Sequence, residues 1–312
     1  MTETRRVGRQ TIKVSNLDKV FWPDSDLTKG DLIEYYASVA QVMVPHVRKR
    51  LMTLERYPDG ITGERFFGKN IPKYFPDWIA RKKVPKAKGT VTHVVCNDAA
   101  TLVYLANQGT ITPHMGLSQI ARVDRPDQMV IDLDPPEKGF NIARRVAFTL
   151  KELLESIGLV PFAKLTGSKG VHVMAPITPK LRFDDVHEIA LLISEALVAR
   201  HPKDLTLEIK KAERAGRTLV DFMRNSYAQT VVAPYGVRAR PGASVAAPIE
   251  WDELADKKLG PQSFTILNAP ERLEKQGDPW KGWRTKARSL EAAARRIKAL
   301  LEEERRPKAV AK

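Results

Sequence analysis

Between Gln128 and Met223 the chain alternates between strand-like and helix-like hydrophobic spacing in an order that few folds satisfy. Gln128–Asp134 reads as a buried strand and Ile142–Ile157 as an amphipathic helix. Phe162–Thr166 and Val171–Ile177 are strands joined by the tight turn Gly167-Ser168-Lys169-Gly170. Phe183–Arg200 is a second helix, and Leu205–Lys210 with Thr218–Met223 supply the closing strands. This β-α-β-β-α-β order predicts an α/β protein of the α+β type. Its core is a ferredoxin-like split βαββαβ unit, a mostly antiparallel sheet with helices on one face.

Asp132 and Asp134 sit two apart at the end of the first strand, so both side chains project from one face while Leu133 points the other way. Like charges that close repel unless a cation binds between them, and hard carboxylate oxygens favour Mg²⁺ or Mn²⁺. Pro135-Pro136 then removes two ladder donors and leaves the acids at an open sheet edge. An Asp-x-Asp alone also occurs in sugar-nucleotide transferases, and solvated acids end many strands. The third acid, Asp221, interrupts the apolar run Thr-Leu-Val-Asp-Phe-Met, where a buried carboxylate needs a cation or a partner. In the split order the first and last strands flank opposite sides of one sheet face. Asp132, Asp134 and Asp221 can therefore share a site, and three acids suit a two-metal phosphoryl transfer.

The charge balance names a class of partner. Lys and Arg total 52 against 37 acidic residues in 312, a formal net charge of +15, which suits a polyanion such as nucleic acid. A merely solvated basic surface and an anionic membrane are the alternatives. Cys96 is the single cysteine, which excludes an intrachain disulfide and a cysteine-rich zinc site. No stretch approaches the ~20 apolar residues of a membrane span, and no signal-like run follows the polar N-terminus, so the expectation is a cytoplasmic, nucleoid-associated monomer without a membrane partner.

Residues 1–10 read as a loose basic leader, Thr11–Val20 as a strand, and Pro23-Asp24-Ser25-Asp26 as a turn. Thr28 is an N-cap candidate for a helix from Lys29 to Val47, followed by a strand, Leu51–Tyr57, and exposed basic loops over 68–90. One catalytic domain is expected over 11–285: an N-terminal α/β lobe (about 11–125), the metal-binding core (about 126–245) and an extension to 285. A basic helical tail, 286–312, follows. Lys281–Lys312 holds 11 Lys or Arg against 4 Glu, and Ser289–Glu303 has helical spacing.

The Gly167-Ser168-Lys169-Gly170 turn offers backbone N–H groups, a hydroxyl and an ammonium to phosphate oxygens, though it is not a P-loop and an ordinary hairpin has the same appearance. His172 follows it. Arg224, Arg238 and Arg240 cluster after Asp221, as cations would around a triphosphate.

These residues, with Asn16-Leu17-Asp18-Lys19-Val20, Thr28-Lys29-Gly30, Arg56-Tyr57-Pro58-Asp59-Gly60, Phe66-Phe67-Gly68-Lys69-Asn70 and Val232-Ala233-Pro234-Tyr235-Gly236-Val237-Arg238-Ala239-Arg240-Pro241, occur in an order the chain shares with a known family. The chain resembles, over about residues 10–285, the polymerase domain of bacterial ligase D and its stand-alone relatives in the archaeo-eukaryotic primase superfamily. The resemblance implies a primase-polymerase in DNA repair, with Asp132, Asp134 and Asp221 binding two ions, often manganese. It implies that Lys169, His172, Arg224 and Arg238 hold the incoming NTP or dNTP, with Arg56, His114, Thr166, Ser168 and Lys211 nearby. Lys19 and Lys29 would grip a 5′-phosphate beyond a gap or break, and Phe66-Phe67 would stack on template bases, with Lys69 and Arg240 also on DNA. Ribonucleotides are the common preference, and a separate DNA ligase and Ku are implied partners. Two departures stand out: Thr166 takes the place of a serine, and Met115-Gly116 follows His114 where relatives often have a tryptophan. No ligase lysine motif or nuclease domain follows, so the expectation is a stand-alone polymerase that fills short gaps in excision repair or end joining. The rivals are a non-catalytic DNA gap- or end-binding protein and an Asp-x-Asp glycosyltransferase.

Overall fold

The computed structural model describes residues 2–86 and 88–305. A six-stranded sheet runs in the spatial order Leu205–Thr206, Thr218–Asp221, Gln128–Asp134, Val171–Pro176, Phe162–Leu165, Pro248–Ile249. All neighbours are antiparallel except the first pair. Side-chain alternation assigns its faces. Met129, Ile131 and Leu133, with Val171, Val173, Ala163, Leu165 and Val220, enter one core beneath the helices Phe140–Ser156 and Phe183–Arg200. Asp132, Asp134, Lys164, His172 and Asp221 occupy the alternate positions and so lie on the other face. The first and last strands of the split unit are direct neighbours in this sheet, closer than the flanking arrangement expected from the element order.

That second face is covered by another sheet, Thr230–Val232, Thr110–Gln119, Arg50–Arg56, Phe66–Gly68, antiparallel throughout. Val130 and Met174 join Met52, Leu54, Met115 and Val231 in a second core, which extends to Ile12 and Leu32 and also takes Tyr235, Trp280 and Trp283. Trp280 and Trp283 stack at 4.7 Å, and the Trp280 indole N–H donates to the Ala163 carbonyl at 3.0 Å. Trp280 and Trp283 thus tie the far end of the expected extension into the core of the first lobe.

Four expectations change. Residues 1–10 are no loose leader: Thr2–Val7 pairs with Gln10–Ser15 around Gly8 at φ 58°. Its exposed Thr and Arg side chains gave no apolar signal. The helix from Lys29 does not run unbroken to Val47. Thr28 and Asp31 form a reciprocal capping box, but the helix stops at Ser38, with Val39 as its C-cap, and restarts as Ala40–Val47, which carries Pro45 inside it. The basic stretch 68–90 contains Arg81–Pro85, which pairs with Thr90–Val94; Val84 is its one buried residue among cations. Leu205–Lys210 shortens to Leu205–Thr206, after which the chain turns away. The tail helix is Leu290–Arg305, docked by Leu290, Ala293 and Ile297 onto the first core, while residues 306–312 of the expected tail lie outside the described residues. No helix among the described residues is long and apolar enough to cross a membrane.

Candidate active site

Asp132 and Asp221 are register partners on neighbouring strands, with Asp134 one alternate position further along, paired with Leu219. All three line a cleft of about 620 Å³ between the two sheets. Burial and the charges of Asp132 and Asp134 push the Asp221 carboxyl up, only partly offset by Arg224 (Nε to Oδ2, 3.4 Å) and the Met223 N–H (2.8 Å). Burial would likewise raise Asp132, but the adjacent His172, Arg224 and Lys164 outweigh it and hold the carboxyl low. His172 is the cross-strand partner of Asp132 and sets Nε2 3.4 Å from its Oδ2. Burial keeps the imidazole low and neutral, and its Nδ1 is buried with no hydrogen-bond partner.

Asp134 is engaged by Arg214, whose Nη1 donates to Oδ2 at 3.0 Å while the same guanidinium donates to the carbonyls of Glu208 and Ile209. Among the described residues no three of His, Cys, Asp and Glu converge as a ready-made metal cage. The donor set nevertheless fits a hard cation. It consists of carboxylate oxygens that crowd one another, and the raised Asp221 is the signature of that crowding.

The Gly167–Gly170 turn forms one rim. The Thr166 hydroxyl accepts from the N–H groups of Ser168 (3.2 Å) and Gly170 (3.1 Å), so it organises the turn from within. A Cβ on Gly170 would stand 1.9 Å from the Leu133 carbonyl oxygen, so only glycine lets the turn lie against the Asp132 strand. Ser168 and Lys169 then face the cleft, Arg238 lines it beside Gly167, and Arg224 lines it from the segment after Asp221.

The remaining wall comes from the second sheet. His114 Nε2 lies 3.1 Å from Glu55 Oε2, and Arg65 Nε lies 2.8 Å from the other carboxylate oxygen. Burial opposes ionisation of Glu55, but His114, Arg65 and Arg238 outweigh it and hold the carboxyl at about 2. Phe67 packs edge-on to His114 at 5.4 Å with Arg65 over its ring, and Lys69 lines the cleft beyond. Phe66 and Phe67 are respectively 45% and 50% exposed, on an edge strand and outside the core.

Not every residue singled out in the sequence comes to the cleft. Arg56 donates to the Gln108 carbonyl and the Tyr74 hydroxyl, both at 2.9 Å, and Lys211 is exposed in a short turn; neither lines it, nor does Arg240. Lys19 and Lys29 form a separate basic corner. Lys19 pairs with Asp59, the Lys29 N–H donates to the Lys19 carbonyl at 2.8 Å, and Lys29 Nζ donates to the Ser15 carbonyl at 2.6 Å. Burial, then the nearby Lys19, lowers the Lys29 ammonium to about 8.

Sequence reasoning missed Glu55, Arg65, Arg214 and Lys164. Lys164 is fully buried one strand beyond His172 from Asp132, donates to the Val232 carbonyl at 2.5 Å, and is lowered by burial to about 7. It breaks the apolar strand Phe-Ala-Lys-Leu in the way Asp221 breaks its own, so the same signal was there to find.

Comparison with known proteins agrees with this layout. The model of the family described as LigD, primase-polymerase domain, matches residues 28–280. The bifunctional non-homologous end joining protein LigD of Bacillus subtilis is 33% identical over 271 residues, covering 86% of this chain and 43% of that protein. The multifunctional non-homologous end joining protein LigD of Mycolicibacterium smegmatis is 32% identical over 273 residues, covering 86% and 35%. The chain thus spans less than half the length of these relatives. In three dimensions it is similar to the polymerase domain of Mycobacterium tuberculosis ligase D in complex with DNA, with a TM-score of 0.83, 30% identity, and coverage of 88% of this chain and 99% of that one.

Proposed function

Because this chain belongs to the LigD primase-polymerase domain family, we propose that it is a DNA-dependent nucleotidyltransferase, extending a primer 3′-hydroxyl with NTP or dNTP across short gaps and breaks. The observation that carries the reading is the opposition of Asp132 and Asp221, with Asp134 beside them, in a cleft otherwise walled by cations. Acids that crowd one another at the floor and cations at the rim suit a substrate with its own charge, a metal-bound triphosphate.

Asp132, Asp134 and Asp221 would hold two divalent cations, Mn²⁺ or Mg²⁺, which when bound supply charge neutralisation at the attacking hydroxyl and the leaving pyrophosphate. The protein's part is placement. His172 braces Asp132 from the neighbouring strand and helps hold that acid ionised. Lys169, Arg224 and Arg238 bind the phosphates around the cleft, and the Ser168 hydroxyl adds a neutral donor from the turn. Phe67 offers a flat apolar face at the mouth, where a template base can stack without regard to its identity. The Lys19–Lys29 corner supports recognition of a 5′-phosphate on the far side of the gap. Short-gap repair is our reading of the setting, with a separate ligase sealing the product. End joining with Ku is the second reading, favoured by the names of the relatives.

Primer extension on gapped DNA tests the proposal. Asp132→Ala should abolish extension in both Mn²⁺ and Mg²⁺ and leave binding to 5′-phosphorylated gaps nearly unchanged. Extension that survives would overturn the mechanism. DNA-independent turnover of a nucleotide sugar would instead support the glycosyltransferase rival, which gives no role to Lys19, Lys29 or the basic loops.

A further inference from the structure

A second cavity, about 540 Å³, adjoins the cleft. The two share the wall made by Lys69, Ala228, Gln229 and Thr230, across which Lys69 Nζ donates to the Ala228 carbonyl at 2.9 Å. Away from that wall the lining is largely apolar, with Leu51, Val91, Leu117 and Phe183, and Lys86 and His93 are its charged or titratable members. Tyr227, 45% exposed, packs edge-on to Phe183 at 5.6 Å.

Two glycines make the space. A Cβ on Gly116 would meet its nearest neighbour, the Leu51 carbonyl oxygen, at 3.6 Å, and one on Gly68 would meet nothing within 4 Å. Neither has a positive φ. No backbone conformation or close approach therefore requires glycine at either position, although glycine weakens a strand. Their effect is to keep a roomy, apolar-walled cavity open next to the cleft.

The charge above it selects the occupant. The hairpin strands Arg81–Pro85 and Thr90–Val94, with the turn between them, bring Arg81, Lys82, Lys83, Lys86 and Lys88, and no acid stands between Asp77 and Asp98. The four lysines make no ion pair among the described residues. A largely apolar slot with Lys86 in its lining and further free lysines on the same hairpin matches a single strand of nucleic acid, with its base inside and phosphates outside. The strand Phe66–Gly68 leads from the aromatic face at the cleft, through Lys69, to the cavity.

We propose that this cavity receives one unpaired, purine-sized base of the template strand as that strand leaves the cleft; the proposal rests on the polymerase reading above. The base sits between Tyr227 and the Gly116 strand, and its phosphate meets Lys69 and Lys86. Seating one base there anchors the template while the neighbouring base is read.

Gly116→Trp tests it, since an indole has nearly the size of a purine and fills the cavity from its own wall; Tyr227→Ala approaches from the other side, and both are first checked for native thermal unfolding. The substrates are 5′-phosphorylated gapped DNA with 2-aminopurine at successive template positions, and a nick with no unpaired template base. We expect one template position to change fluorescence on binding the wild type and to lose that change in both variants. Affinity for the gap should fall about tenfold, with affinity for the nick unchanged. Equal losses on gap and nick, no loss on either, or displacement of the signal by a free purine nucleotide would overturn the proposal. Extension by the wild type is measured alongside: its absence would sink the polymerase reading, whereas extension without a position-specific signal would sink only the cavity assignment.

Discussion

Asp132 and Asp221 face one another as a cross-strand pair, two carboxylates placed where a sheet ordinarily places apolar or oppositely charged partners. The fold tolerates this because His172 supports one acid from the far neighbour strand and Arg224 reaches the other. The pair is also where stability and function oppose each other.

Asp221→Asn removes one of the two charges. In metal-free buffer it should raise the thermal midpoint by ~2 °C, about 1 kcal/mol for relief of a like-charge pair. Extension should be lost, and saturating Mn²⁺ should stabilise the wild type more than the variant. Calorimetry with and without metal checks this, and a lower midpoint in metal-free buffer would contradict the repulsion.

Lys164 lies on the same sheet face as these acids, across the His172 strand from Asp132, and its charge helps hold Asp132 low. Burial brings the ammonium to about 7, so it is protonated throughout the range in which a carboxylate titrates. Lys164→Met withdraws that support, Asp132 takes up its proton at higher pH, and the acid limb of the pH–rate profile should move upward by roughly half a unit, ~0.7 kcal/mol. The profile of the folded variant decides, and an unmoved limb would remove Lys164 from the electrostatics of the site.

At the basic corner the sign is set by Lys29, whose pKa of about 8 lies below the ordinary lysine value because of burial and Lys19. Below that pH it is cationic and attracts phosphate; above it the charge is lost. The preference for 5′-phosphate over 5′-hydroxyl DNA should therefore fall roughly tenfold from pH 7 to pH 9, the scale of one charged hydrogen bond. Lys29→Ala should show a small preference at both. Fluorescence anisotropy with the two DNA ends measures it.

Phe67→Ala should weaken binding to gapped DNA by ~1–3 kcal/mol, with little dependence on template sequence, because stacking uses the face of any base. Phe67 also packs on His114, so Phe67→Leu serves as the control that keeps the packing and loses the aromatic face. Equal affinity of the alanine and leucine variants with the wild type would return Phe67 to a packing role.

The split βαββαβ core was legible because its alternation is strict: Met129, Ile131 and Leu133 go one way while Asp132 and Asp134 go the other. Two of the motifs behind the family resemblance, Asp132-Leu133-Asp134-Pro135 and the turn Gly167–Gly170, fall at the ends of those strands. Elements without an apolar pattern were not legible. The strands Thr2–Val7 and Arg81–Pro85 are held by backbone pairing under exposed polar side chains, and a basic sequence hides them. The cleft's second wall was legible only in part: the resemblance named His114, Phe67 and Lys69, but Glu55 and Arg65 join His114 through the fold, and no local spacing announces such a meeting. Arg56 shows the converse, a residue of the right type beside the right neighbours whose guanidinium is engaged by Gln108 and Tyr74.

The two tryptophans near the end of the chain have a consequence for synthesis. Trp280 and Trp283 fill the interior that Ile12 and Leu32 begin, so the first lobe cannot close while the ribosome still holds its last piece. The helix-covered sheet waits as well, because Leu290, Ala293 and Ile297 of the following helix complete its core. Nascent chains of this protein should therefore finish both cores together, only after the residues from Trp280 to Ile297 have left the ribosome.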